Sequence, residues 1–240
     1  MKKKLTLILT FLLLTALLPH RAQAVMSRVE VFAKTVLIEE KEDSVNVFVF
    51  ARLENTGRTD MTFDSGRFDV YDKKGELLGS DEYPAVFAAK YLRPGEHGFL
   101  RAYVELEGVT PEQIGETELS VDCQNYKGKS RIDRFDCTPA YEKDVVYGGW
   151  LTYDYMGVTV TNRTDSVLYD LEAVIVLYDK EDHILNIGYA FMGMLNDVGL
   201  HPGGTVTLRD INSESMQAAY TKAGYTAAYM EGIAYTEVYG

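Results

Sequence analysis

Positive charge is in short supply in this chain. Its 240 residues hold 24 Lys and Arg against 36 Asp and Glu, a net charge of −12. Nonspecific binding to nucleic acid or to anionic lipid is therefore not expected. Tryptophan occurs once, at Trp150, and cysteine twice, at Cys123 and Cys137. Two cysteines fourteen positions apart with no nearby histidine lack the spacing of a zinc site. There is no Gly-x-Ser-x-Gly elbow, no His-Glu-x-x-His and no glycine loop of the phosphate-cradling kind. No second long apolar run follows the first eighteen residues, and no apolar or basic tail precedes Gly240. Catalytic residues, bound metal and cofactors are all unexpected, and so is membrane insertion of the mature chain.

The first residues read as an export signal. Lys2, Lys3 and Lys4 precede an apolar segment from Leu5 to Leu18, Pro19 breaks it, and Ala22-Gln23-Ala24 offers a small-x-small cleavage site. The segment falls short of the ~20 apolar residues that span a bilayer, and no cysteine follows it to carry a lipid. Cleavage after Ala24 removes Lys2, Lys3, Lys4 and Arg21 but no acid, so the charge moves from −12 to −16. An exported chain with two cysteines leads to the expectation of a structural disulfide between Cys123 and Cys137. Such a bond would stiffen the joint between two units. The alternative is a pair of buried thiols.

What the chain has in abundance is repetition. Asn55 stands at the same distance from Tyr71-Asp72-Lys73 as Asn162 does from Tyr178-Asp179-Lys180, and Leu92-Arg93-Pro94-Gly95 recurs as Leu200-His201-Pro202-Gly203. Anchors that recur in order mark a duplicated module. Units are expected over residues 25–128 and 129–240.

Within the first unit, Val45, Val47, Val49, Ala51 and Leu53 alternate with Asn46, Phe48, Phe50 and Arg52, the pattern of a strand burying one face. Asp72-Lys73-Lys74-Gly75 fits a hairpin turn closed by a glycine at positive φ. Thr110-Pro111-Glu112-Gln113 is a capping box opening a single turn of helix. In the second unit Asp182 replaces Gly75, an exchange that aspartate tolerates. The row Met156, Val158, Val160 would carry Asp154 inward with it, and a bulge near Gly157 is expected to prevent that. A short helix is expected over 212–223, ended by Gly224. About seven short strands per unit define the fold class: all-β, two tandem immunoglobulin-like antiparallel β-sandwiches, each with one short crossover helix before its last strand.

Phe68-x-Val70-Tyr71-Asp72 and Ile175-x-Leu177-Tyr178-Asp179, with the preceding Asn turn and the following Leu-x-Pro-Gly, resemble the motif of the FxLYD family of bacterial exported domains. The resemblance covers most of both units and implies an immunoglobulin-like fold and an extracellular or envelope location. It implies no reaction.

The expected function is that of a noncatalytic exported protein whose modules bind a protein or cell-wall component, or act as a spacer. A carbohydrate-binding accessory protein using Trp150 and exposed tyrosines is the alternative, and a hydrolase at the junction of the units is a third reading. Phe48, Phe50 and Trp150 are the candidate contact residues. Phe48 and Phe50 lie opposite the core stripe, as do Val174, Val176 and Tyr178 in the second unit, and a neighbouring element or the other unit is their simplest cover. His97, His183 and His201 read as solvated loop residues. Asp179, Glu181 and Asp182 read as a solvated turn before a calcium site, and Asn162-Arg163-Thr164 matches a glycosylation acceptor weakly.

Overall fold

The computed structural model describes residues 29–192 and 199–238. The expected export signal, residues 1–24, lies outside them. The first sandwich contains β1 (Val29–Glu40), β2 (Ser44–Asn55), β3 (Met61–Asp72), β4 (Leu77–Asp81), β5 (Ala85–Phe87), β6 (His97–Glu107) and, after a 3-10 turn at Pro111–Gln113, β7 (Ile114–Asn125). The second contains β8 (Arg131–Phe135), β9 (Cys137–Tyr147), β10 (Leu151–Thr161), β11 (Leu171–Tyr178), β12 (Ile184–Met192), β13 (Thr205–Asn212), helix α1 (Glu214–Lys222) and β14 (Tyr229–Val238).

In the first sandwich a β1-β2-β6-β5 sheet faces a β4-β3-β7 sheet; in the second, β12-β11-β14-β8 faces β13-β10-β9. All pairings are antiparallel. This is the immunoglobulin-like arrangement of two sheets with a short crossover before the last strand. In the second copy the opening segment changes sheets: β8 pairs with β14, and β9, one residue later, pairs with β10.

The repeated motif proves to be a clamp. Asn55 Nδ2 donates to Thr59 O and to Leu92 O, both at 2.8 Å, while its Oδ1 accepts from Gly57 N at 2.9 Å. Asn162 repeats this, with Nδ2 on Ser166 O at 2.8 Å and Leu200 O at 2.7 Å and Oδ1 accepting from Thr164 N at 2.9 Å. The backbone follows suit: Gly95 N donates to Asn55 O and Gly203 N to Asn162 O, each at 2.8 Å. Both glycines hold positive φ, 81° and 75°, where a side chain is strained. The asparagine therefore ties the turn after the second strand to the Leu-x-Pro-Gly turn, and that is why the two motifs recur together. Both asparagines are fully buried. Asn162 thus has no free amide for a glycan in the folded chain.

The Tyr-Asp-Lys hairpins also match. Asp72 Oδ1 accepts from Lys74 N and Glu76 N, and Asp179 Oδ1 from Glu181 N and His183 N. Gly75 lies at φ 84° and Asp182 at φ 67°, the left-handed position in each turn.

Three local expectations need correction. Gly157 pairs regularly, and the bulge lies instead opposite Asp154, where β9 skips from Val145 to Glu142 and Asp144 adopts φ 53°. Asp154 stays in its row because Tyr141 OH and Asp144 N donate to its carboxylate at 2.9 Å each; hydrogen bonds remove the desolvation problem that a register slip was meant to solve. The second-unit helix is shorter than expected, capped by Ser213 accepting from Met216 N at 3.2 Å.

The third correction concerns the cysteines, which are unpaired thiols. Cys123 sits on β7 in the core-facing row of Leu119 and Val121. Cys137 lies on β9 against Gly232, in the second core. Each faces its own sandwich, with the two middle sheets, at ~10 Å per layer, between them, whereas a disulfide needs Cα atoms within about 7 Å. Burial and Asp122 push the Cys123 thiol up to about 11, and burial raises Cys137 as well.

The sandwiches are fused face to face. Val45, Val47, Val49, Ala51 and Leu53 fill the first interior with Phe68, Val70, Leu100 and Ala102. The opposite face of that sheet, with Leu37, Phe50 and Phe99, joins Val174, Val176 and Tyr178 in one continuous cluster with the second interior. Four sheets are therefore stacked, and β11 is buried on both sides. Ile184 N donates to Thr35 Oγ1 at 2.9 Å, Arg101 Nη1 to Ile187 O at 3.2 Å and Tyr235 OH to Ala88 O at 3.0 Å, all across this face.

Candidate functional site

Among the three candidate contact residues, only Trp150 is open to a partner. Phe50 is 0 % exposed, buried under the second sandwich, and Phe48 is half-buried, stacked on Phe50 and Tyr103. The covering by the other unit thus accounts for the second apolar row. Trp150 is 78 % exposed and stands at the tip of the β9–β10 hairpin with Tyr147 and Val146, at 65 % and 62 %.

This tip is built by two glycines. Gly148 and Gly149 hold φ 63° and 82°, the positive pair required by a primed hairpin turn, and Trp150 N donates to Tyr147 O at 3.4 Å. The indole folds back so that its Nε1 lies 3.4 Å from where a Gly148 side chain would begin. The turn therefore holds two aromatic rings away from either core, where neither contributes to packing. At the base of the hairpin a cleft of about 520 Å³ is lined by Asp144, Thr152, Asp154, Asn212 and Glu214 among others.

The junction between the sandwiches holds a connected network of titratable groups. His97, expected in a solvated loop, opens β6 and is half-buried, its Nε2 2.6 Å from Glu231 Oε1. Its Nδ1 lies 3.3 Å from Arg52 Nη2. Arginine only donates, so Nδ1 accepts and the proton sits on Nε2, facing the carboxylate. Tyr178 OH donates to Glu231 Oε2 at 2.9 Å and stacks on Tyr229 at 4.8 Å. Burial pushes the Glu231 carboxyl up, but His97, Tyr178 and Arg52 together outweigh it and hold it below its ordinary value. Burial and Glu231 raise the Tyr178 phenol. Both ring nitrogens of His97 are engaged, and the arrangement serves to neutralise polar groups inside a contact face.

The acidic hairpin is similarly committed. Asp179 Oδ2 lies 2.9 Å from His183 Nδ1, and Tyr229 OH donates to Asp182. One ligand atom each of Asp179, Glu181 and His183 falls within 4.8 Å of the others; Asp182 is not in that group. A cation here would displace donors already satisfying Asp179. Burial raises the Asp179 carboxyl, yet His183 and the turn amides bring it below its ordinary value. His201, in the second Leu-x-Pro-Gly turn, is exposed.

A second cleft, of about 620 Å³, opens where the sandwiches meet and is lined by Arg93, Arg131, Arg134 and Arg163. The periodicity of the sequence carries no sign of this cleft. The one available signal is that Arg93 and Arg163 sit inside the repeated motifs where the copies differ, opposite His201 and Thr56.

Fold and surfaces together define an all-β protein of two immunoglobulin-like sandwiches fused through their middle sheets, with an aromatic hairpin and a guanidinium-lined cleft exposed. No family model matches the chain, and a search of curated proteins finds no match. Among the described residues, no helix is long and apolar enough to cross a membrane.

Proposed function

We propose that this chain is a noncatalytic exported protein of the FxLYD type, a cell-envelope contact module that engages its partner through the β9–β10 hairpin tip. The observation that carries the reading is the exposure of Tyr147 and Trp150, at 65 % and 78 %, on a turn shaped by two glycines. Aromatic rings that fill no core are the residues enriched at binding hot spots. The recurring Asn, Tyr-Asp-Lys and Leu-x-Pro-Gly residues support the family assignment, since they act as one clamp in both copies. Export rests on the Lys2 to Ala24 pattern.

A second reading, that the partner is a glycan, is favoured by the polar cleft at the hairpin base. Asp144, Thr152, Asp154, Asn212 and Glu214 place hydrogen-bonding groups in a cleft that the Tyr153 ring also lines. The test is co-sedimentation of the mature chain with isolated cell-wall polymer, beside binding to the protein fraction of the same envelopes. Trp150→Ala should abolish retention on one of the two and leave the thermal midpoint unchanged. Full retention of both fractions by Trp150→Ala and by Tyr147→Ala would overturn the proposal.

A further inference from the structure

The arginine-lined cleft has no part in the hairpin reading. It is assembled from three separate segments: Arg93 from the first Leu-x-Pro-Gly turn, Arg131 and Arg134 from β8, and Arg163 from the second Asn turn. Four of the eleven arginines of an acidic chain therefore converge on one depression. The repeated clamp does not ask for Arg93 or Arg163. The clamp needs the asparagine, the leucine and the Pro-Gly pair, while the intervening positions are free to vary, and the other copy holds His201 and Thr56 there.

Asp133 and Asp136 also line the cleft and Glu96 pairs with Arg134, so three carboxylates stand against four guanidiniums. Arg163 comes no closer than 3.8 Å to Asp136, and the two side chains are 79 % and 95 % exposed. Arg131 pairs with Asp133 at 2.7 Å on an open surface. Arg93 Nη2 donates to a backbone carbonyl, Ile132 O, at 3.1 Å. Arg134 donates to Ile132 O and Tyr91 O, each at 3.4 Å, and pairs with Glu96. Burial disfavours the Arg134 charge, Glu96 favours it, and the nearby Arg93 guanidinium opposes it, leaving the group below its ordinary value. Each guanidinium offers five N–H donors in a planar fork, and among the described residues Arg93, Arg131 and Arg163 each engage at most one of theirs. Such forks match the two oxygens of a phosphate or carboxylate. The volume is that of a small-ligand pocket.

We infer that this cleft is a binding site for a small ligand carrying two or more anionic oxygens of the phosphate or carboxylate kind, clamped between the sandwiches by Arg93, Arg131, Arg134 and Arg163. Because the clamp draws on both sandwiches, occupancy would also tie them together and raise the unfolding temperature.

The test is isothermal calorimetry of the mature chain with inorganic pyrophosphate and, separately, with citrate, against sodium chloride at equal ionic strength. One saturable site per chain is expected, with a dissociation constant on the order of 1 mM or tighter. Arg131→Gln and Arg163→Gln alter exposed side chains, so they should keep the wild-type melting temperature without ligand. Each should weaken binding by about tenfold, the loss of one charge-assisted contact. Arg209→Gln, on β13 and paired with Glu142, should leave binding unchanged, and so should Trp150→Ala. Saturation by pyrophosphate alone assigns a phosphate ligand, and by citrate alone a carboxylate. No saturable binding of either probe, equal affinity in the Arg131→Gln/Arg163→Gln double variant, or an equal loss in Arg209→Gln would overturn the inference.

Discussion

Replacing Asn55 by alanine offers the sharpest test of the idea that the repeated motif is a folding clamp. The side chain is 0 % exposed and makes three hydrogen bonds, to Thr59 O, Leu92 O and Gly57 N. At about 1 kcal/mol net per buried hydrogen bond, their loss comes to ~3 kcal/mol, and any group left unpaired adds to that. The carbonyl of Leu92 keeps the bond from Met61 N at 2.9 Å, which limits the addition. For a chain of this size ~3 kcal/mol corresponds to a fall in melting temperature of roughly 6–12 °C and a drop in urea midpoint of roughly 1–1.5 M. Asn162→Ala should cost at least as much, since Asn162 repeats these bonds and its Oδ1 also accepts from Thr164 Oγ1 at 2.7 Å. Asn55→Asp separates hydrogen bonding from shape. A carboxylate of nearly equal size would set an oxygen against the carbonyls of Thr59 and Leu92, so it should destabilise more than alanine at pH 7. Urea denaturation followed by circular dichroism reads all three variants. Alanine variants within about 0.5 kcal/mol of wild type, the range of ordinary surface changes, would refute the clamp and return the motif to consideration as a recognition element.

Other outcomes follow from the fused interior and from the titratable groups. Phe50→Ala removes a fully buried ring from the face between the sandwiches, and should cost about 3–5 kcal/mol by urea unfolding; a change under 1 kcal/mol would mean the sandwiches do not pack there in solution. Glu231 is held below the ordinary carboxylate value of 4.5, after burial is offset by His97, Tyr178 and Arg52. A depressed folded-state carboxyl contributes stability that is present above its unfolded value and lost as pH falls through the folded one. Calorimetric melting temperatures should thus decline below about pH 4.5, and Glu231→Gln should melt lower at pH 7 and show a shallower decline. An equally steep decline in that variant would rule Glu231 out as its source. Unfolded protein treated with a thiol reagent should take up two labels without prior reduction, one each at Cys123 and Cys137; a mass showing none would restore the disulfide. Gly148→Ala forces a side chain into φ 63° beside the indole, and should lower retention on the Trp150 partner.

Much of the architecture was legible because it is local. The alternation of Val45 to Leu53 reports one buried face at period two, and the Gly75 and Asp182 turns carry their own φ requirement. The environment of a polar group depends on partners that lie far away in sequence. Asp154 looks unburiable without the donors that Tyr141 and the Asp144 amide supply, and a strand glycine such as Gly157 marks a bulge that in fact lies on the opposite strand. His97 looked like a loop residue because Glu231, 134 positions away, is the group that holds it. The cysteine pair was judged by count and compartment, whereas bonding depends on which core each thiol faces.

The candidate site divides along the same line. Trp150, a candidate as a stacking aromatic, is exposed. Phe48 and Phe50 were singled out by facing away from their own core, and that face is where the second sandwich lies. The arginines escaped notice because three chain segments must come together before they form a surface.

On its own, the order of residues determined the module, its duplication, the strands and the hairpins, since propensity, turn chemistry and hydrophobic period act over a few positions. It also determined that β2 and β11 each carry a second apolar row. What covers that row was decided only in three dimensions, where the two rows cover one another and remove apolar surface from water that neither sandwich could bury alone. The same packing brings Arg93 beside Arg134 and leaves the Trp150 hairpin clear of both interiors.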